Sequence, residues 1–172
     1  NSNMMYYCLM NFIMNLLDVR YIPSIYNIDE VNMVRPVYEV IRRTKNRRNK
    51  EDKVKELHEN ESWALKDILR GSYDSTVKFN FPEGDPPYTP NQEHNAPTNL
   101  LKEHKRFINF VVGGPGDEMP SYKRERILFE ILEGIHPDDA KLVVSMINKK
   151  KLDGISRPVI EEAFPGLLQD TS

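Results

Sequence analysis

From Pro36 onward, apolar residues recur at helical spacing along most of this chain, and the clearest series lies near its end. Ile127, Leu128, Ile131, Leu132 and Ile135 return every three or four positions, with Lys123, Arg124, Glu125, Glu130 and Glu133 on the other side. That spacing predicts an amphipathic helix. His136-Pro137-Asp138-Asp139 interrupts it and reads as a new helix start, because a proline in the first helical position gives up no needed amide and acids suit the positive helix end. The second helix is predicted through Ala140, Leu142, Val143, Met146 and Ile147, closed by Lys149-Lys150-Lys151 and an Asp153-Gly154 turn. A third is predicted from near Ser156, with Pro158 in its first turn, Val159, Ile160, Ala163 and Phe164 inward, and Pro165-Gly166 as its stop. Three short helices cannot each hide an apolar face alone, so they are expected to pack on one another and on earlier parts of the chain.

The earlier parts supply partners. Pro36 to Ile41 reads as a short helix with Val37, Val40 and Ile41 inward. From Glu51 to Arg70, Val54, Leu57, Trp63, Leu65, Ile68 and Leu69 predict one or two helices, broken at Asn60-Glu61 with Asn60 capping the second. Trp63 falls in this apolar set and is expected as a core anchor in preference to a nucleic-acid stacking platform. Gly71 reads as the end of that helix. Thr76, Val77, Phe79 and Phe81 alternate like a short strand or extended arm whose phenylalanines pin it to the core, and the prolines between Pro82 and Pro97 predict a long loop. Leu100 to Val112 is predicted helical, started at Pro97-Thr98 and stopped by Gly113-Gly114-Pro115-Gly116. The fold class is therefore all-α, and neither an internal repeat nor a long heptad series is present.

Residues 1–32 differ in character. Met4 to Leu17 is apolar and aromatic, near the length of a signal-peptide core and short of the ~20 residues that span a bilayer. It has no basic leader and no small-residue cleavage site. Either it packs as a helix on the core or a partner, or it is sequence upstream of the true start. The second reading is preferred: a poorly ordered or non-native segment at 1–32, one helical domain at 33–168 with a loop at 82–97, and a tail at 169–172.

Composition narrows the chemistry. Of the 172 residues, 29% are charged and 39% hydrophobic, as in a soluble protein, with no membrane partner expected, and the net charge of -2 says nothing by itself about nucleic acid. Its distribution does. Between Arg42 and Lys50 there are six basic residues and no acid, among them Arg42, Arg43, Arg47 and Arg48. Such a run creates a local positive field, although exposed basic runs also serve only to stay wet. Cys8 is the only cysteine, so no internal disulfide or thiolate zinc site forms and a reducing compartment fits. His58, His94, His104 and His136 lie far apart and are expected at the surface or as caps, with no metal and no cofactor implied.

Two strings suggest enzyme chemistry and then fail. Gly113-Gly114-Pro115-Gly116 follows no strand and lacks the Lys-Ser/Thr of a phosphate-cradling loop. Lys151-Leu152-Asp153-Gly154 matches KxDG, in which a nucleotidyltransferase lysine is adenylated, but that chemistry needs a β-rich pocket and acids for magnesium. Here the string reads as a helix end and a turn. Asp138-Asp139 and Glu161-Glu162 are acid pairs of the kind that solvated helix starts and faces carry, so no catalytic residue is assigned. Lys149, Lys150, Lys151, Gly154, Ser156 and Arg157 instead bring cations, free backbone and a helix start together, which is a means of gripping phosphate. Sequence-independent contact with backbone phosphates is the expectation, with Arg42, Arg43, Arg47 and Arg48 as a second contact.

From Leu100 to Leu168 the chain resembles the helical DNA-binding domain at the N-terminus of the ATP-dependent DNA ligases of T4-like phages. The residues that carry this are Leu142-Val143-Val144, Lys149-Lys150-Lys151, Gly154-Ile155-Ser156, Ile160, Ala163 and the ending Phe164-Pro165-Gly166-Leu167-Leu168. Val37 to Lys78 fits as the opening helices, with Leu65, Ile68 and Leu69 before Tyr73. The pattern is also similar to small proteins of unassigned function from T4-like phages of marine cyanobacteria. The resemblance implies a compact multi-helix, DNA-ligase-N-terminal-like domain that grips duplex DNA from the minor-groove side through phosphates, in the host cytoplasm during infection. No nucleotidyltransferase or OB domain follows Leu168 here, so ligation by this chain is not expected. A non-catalytic replication or repair accessory binding duplex DNA is, or an adaptor for a phage replication, transcription or virion protein.

Overall fold

The computed structural model describes residues 34–169, so the segment at 1–32 and most of the tail at 169–172 lie outside the described residues. Within them the chain is almost entirely α-helical. Helices α1 (Val37–Asn46), α2 (Lys50–Glu59) and α3 (Trp63–Tyr73) are followed by a long non-helical segment, the one-turn α4 (Leu100–Glu103) and a 3-10 helix (His104–Phe110). The remaining helices are α5 (Ser121–Gly134), α6 (Pro137–Ile147) and α7 (Arg157–Ala163). None of them is long and apolar enough to cross a membrane.

One apolar core joins all of these helices. Leu65, Ile68 and Leu69 of α3, Leu128, Ile131 and Leu132 of α5, Val143 and Met146 of α6, and Val159 and Ile160 of α7 are buried together with Leu57, Phe107 and Phe110. Helix α3 lies against α6, with Gly71 facing Met146. A Cβ built there would sit 2.5 Å from the sulfur of Met146, so a larger residue would force that side chain to shift. The expectation that Gly71 ends the helix is thus corrected: α3 runs on to Tyr73 because Gly71 faces a neighbouring helix.

Several start signals operate as their chemistry dictates. Asn49, Ser62 and Asn99 each accept a backbone amide two or three residues into the following helix. Ser62, not Asn60, caps α3, and Asn60 instead closes α2 by donating to the Glu56 carbonyl at 2.8 Å. Pro137 occupies the first turn of α6 and His136 accepts from the Asp138 amide. Pro36 has no side-chain oxygen with which to cap α1. Asp139 of α6 substitutes for it, accepting the Tyr38 amide at 2.9 Å, while His136 stacks on the Tyr38 ring at 4.0 Å.

Three further expectations are corrected. The segment Leu100–Val112 is a short α-helix continued as a 3-10 helix and ended by extended Val111, which pairs with Phe79 in an isolated antiparallel bridge. His104 is buried and bonded to Asp67 at 2.6 Å, so it is not a surface residue, although it stands at the C-cap of α4. Trp63 is 45% exposed and does not anchor the core. Its position explains this: it falls nearly opposite the Leu65, Ile68 and Leu69 stripe on a 3.6-residue period.

Candidate nucleic-acid interface

The turn between α6 and α7 is held by the C-terminal end of α3. Lys149 takes a left-handed conformation with φ 54°, which turns the chain out of α6. The residue as a whole is exposed, yet its ammonium reaches back to donate to the carbonyls of Gly71 and Asp74 and lies 5.8 Å from the Phe79 ring centre. Burial lowers its pKa to about 8, against the opposing charge of Asp74. Those two carbonyls at the negative end of α3 favour the charged form as well. Arg157 is held in the same place, donating to the Tyr73 carbonyl at 3.2 Å and to Glu161 at 2.7 Å. Two of the expected phosphate contacts therefore stitch the turn to α3 and do not project from it.

Lys150 and Lys151 are exposed, as are Gly154 and Ser156. Gly154 has φ +73°, and a Cβ there would approach Lys45 Cγ at 3.1 Å, so a glycine lets the turn press against α1. Ser156 precedes α7, a helix of seven residues, and makes no side-chain cap. Asp153 has a side chain 90% exposed and stands 3.7 Å from Lys45. The KxDG string is thus an open turn.

The basic run of α1 divides in the same way. Arg43 and Arg47 both bind Glu56, each with a closest distance of 2.6 Å. Burial raises the Glu56 pKa, but the two guanidinium hydrogen bonds and charges outweigh it and hold the carboxyl below its usual range. Arg42 is exposed and lies over the Tyr38 ring at 5.9 Å, and Arg48 is exposed in the α1–α2 connection. Lys45, part of the basic run but not among the expected contacts, and Lys53, outside that run, join the two basic stretches. Lys53 donates to the Gly154 carbonyl at 2.5 Å across a separation of 101 residues, and Lys45 touches the same turn. Lys50 pairs with Glu162 of α7. Lys45 and Lys53 thus meet the turn at Asp153 and Gly154, and Lys50 pairs with Glu162, while Arg48, Lys150 and Lys151 are exposed in the two connections beside them.

Among the described residues, no group of three or more His, Cys, Asp or Glu side chains is placed to hold a metal ion. A separate cavity of about 350 Å³ opens where the loop at Phe81–Pro87 crosses α5 and α6, lined by Phe81, Pro86, Leu128, Phe129, Val144 and Ile147 among others.

Comparison with known proteins shows a match of residues 40–153 to a family of unknown function, DUF6433. The chain belongs to that family. The matched stretch runs from within α1 to the turn after α6, so both basic stretches of this face fall in it. No curated protein and no solved structure matches.

Proposed function

We propose that this protein binds duplex DNA through backbone phosphates with little sequence preference, as a non-catalytic accessory protein in phage replication or repair. The setting that goes with this reading is the host cytoplasm during infection. The observation that carries it is the meeting of two basic stretches about 100 residues apart on one face, where Lys53 bonds the Gly154 carbonyl and Lys45 packs on the same turn. Lys45, Arg48, Lys150 and Lys151 are the phosphate ligands in this reading, with Arg42 beside them. Lys149, Arg157, Arg43 and Arg47 shape and hold the face. Cations on such a face release counterions from DNA, which makes binding steeply dependent on salt. The resemblance of Leu100–Leu168 to the N-terminal domain of the phage ligases agrees with this choice of ligand.

The test is filter binding of the full chain to a blunt duplex over a salt series. Binding that weakens linearly with the logarithm of salt concentration is expected. Changing Lys45, Arg48 and Lys151 together to Gln should lower the slope by roughly 2 to 3, at about 0.9 per lost phosphate contact, and equally for unrelated sequences. Absence of binding at low salt overturns the reading.

The cavity under the proline-containing loop supports a second reading, a protein-interaction adaptor. It is largely apolar with Glu83, Asp85 and Glu125 also in its lining, is formed by two helices and the loop, and shares no residue with the basic face. A Phe129→Asp change that abolishes co-purification with a phage protein but leaves DNA binding unchanged would favour it.

A further inference from the structure

Helix α3 carries a second feature that neither the core nor the basic face uses. Trp63, Lys66 and Arg70 are spaced i, i+3 and i+7, which puts them on one side of the helix, away from the buried Leu65, Ile68 and Leu69 stripe. They line an open cleft of about 440 Å³ together with His58 from α2 and Phe164 from the end of α7. Lys66 lies over the Trp63 ring at 4.6 Å and over the Phe164 ring at 5.3 Å, and it pairs with Glu61 at the cleft edge. With Lys66 against its ring, Trp63 still keeps 45% of its surface exposed. Phe164 and Leu167 are buried and give the cleft an apolar floor.

An exposed aromatic ring with one face backed by a cation is a stacking surface for another flat ring. The cleft adds a guanidinium and an imidazole, against the single carboxylate of Glu61, which is already engaged by Lys66. A flat, apolar ring that carries a negative charge satisfies both features at once. We propose that this cleft binds an unpaired nucleotide of a DNA strand, with the base stacked on Trp63 and its phosphate directed to Arg70 and His58. Charge complementarity selects a nucleotide over an apolar peptide side chain, which would offer Arg70 and His58 no group to bind, although Arg70 also feels the charge of Asp67. Helix α2 carries residues of both sites: His58 follows Lys53 by five residues, roughly 8 Å of helix rise and about 140° of rotation, so the cleft lies around the helix from the basic face. A single-stranded tail leaving a duplex held at that face would pass around α2 to reach Trp63. The inference shares with the proposed function only the premise that the ligand is nucleic acid.

Trp63 is the only tryptophan in the chain, so its fluorescence reports this cleft alone. The full chain is titrated with oligothymidylate, with an abasic strand of the same length, with a blunt duplex and with the same duplex carrying a thymidylate tail. Oligothymidylate and the tailed duplex are expected to quench Trp63, and the abasic strand to bind weakly and leave emission unchanged. Trp63→Ala should weaken oligothymidylate binding roughly 5- to 150-fold, and Trp63→Phe should restore most of it. Circular dichroism on both variants establishes that this exposed position leaves the fold intact. Equal affinity for thymidylate and abasic strands, strand binding without a change in emission, or wild-type affinity in Trp63→Ala overturns the proposal. Blunt duplex bound with no discrimination between tailed and blunt forms overturns it too, while the phosphate-binding reading stands. Quenching by oligothymidylate with no binding of blunt duplex sustains it and overturns that reading.

Discussion

The Tyr73 hydroxyl donates to the carbonyl of Ile155 at 2.6 Å while accepting the Leu152 amide at 2.9 Å. One buried oxygen at the end of α3 thereby fixes both ends of the turn that presents Lys151 and Gly154. Tyr73→Phe keeps the ring and its packing but leaves the Leu152 amide without its partner in a buried setting. A loss of about 1–3 kcal/mol in urea-unfolding free energy is expected. Amide exchange at Gly154 and Ile155 should accelerate more than exchange in α5, because the hydroxyl restrains the turn and not the distant helix.

Neighbouring lysines should separate cleanly by role. Lys149→Met removes the donor to the Gly71 and Asp74 carbonyls, so it is expected to lower the unfolding midpoint. Lys151→Gln, at an exposed position, should leave the unfolding free energy within about 0.5 kcal/mol of wild type and weaken duplex binding at low salt. If Lys149→Met weakened binding without loss of stability, its ammonium would belong to the phosphate-binding face after all.

How much of this was legible can be seen in α3 and the turn. The periodicity of Leu65, Ile68 and Leu69 located the helix, and the Pro137 and Pro158 start signals located α6 and α7 within a residue or so. The same periodicity places Trp63 outside the apolar stripe, so its exposure was readable from helical geometry although residue type argued for burial. Gly71 was misread because a glycine that ends a helix and one that admits a neighbouring helix have the same local sequence. The division of the basic residues was not legible at all. Lys149 and Lys151 differ in a left-handed backbone and in the carbonyls of α3, which lie more than 70 residues away in sequence. Similarly, Arg43 and Arg47 look like free cations until the fold brings Glu56 against them.

Glu56 gives an acid-sensitive hinge between α1 and α2. Its carboxyl titrates below the usual range in the folded protein, so its contribution is present above the unfolded-state pKa and is lost as pH falls through the lower folded value. Both arginines are substantially solvated, which screens the ion pairs and keeps their contribution small. Glu56→Gln should reproduce at pH 7 part of the destabilisation that wild type shows below pH 4. The variant's stability should also vary less with pH in that acid range, as followed by urea unfolding at each pH.

Asp139 should do the opposite. It is 2% exposed, and burial raises its pKa to about 6, against the hydrogen bond from the Tyr38 amide and with a further push from Asp138. Below about pH 4 both folded and unfolded chains hold this proton. Between about pH 4 and 6 the folded chain binds more protons than the unfolded one, so this group makes stability fall as pH rises through that window. Asp139→Asn keeps an oxygen that accepts the Tyr38 amide at the start of α1 but carries no titrating charge. The amide group of asparagine introduces a donor in a buried place, and that cost is the same at every pH. The difference in unfolding free energy between variant and wild type should therefore shift in favour of the variant by on the order of 2 kcal/mol from pH 4 to pH 7, then stay level. Urea unfolding at unit steps of pH measures it. A difference that does not change with pH would mean that Asp139 stays ionised throughout, held by the α1 amides as an ordinary helix cap.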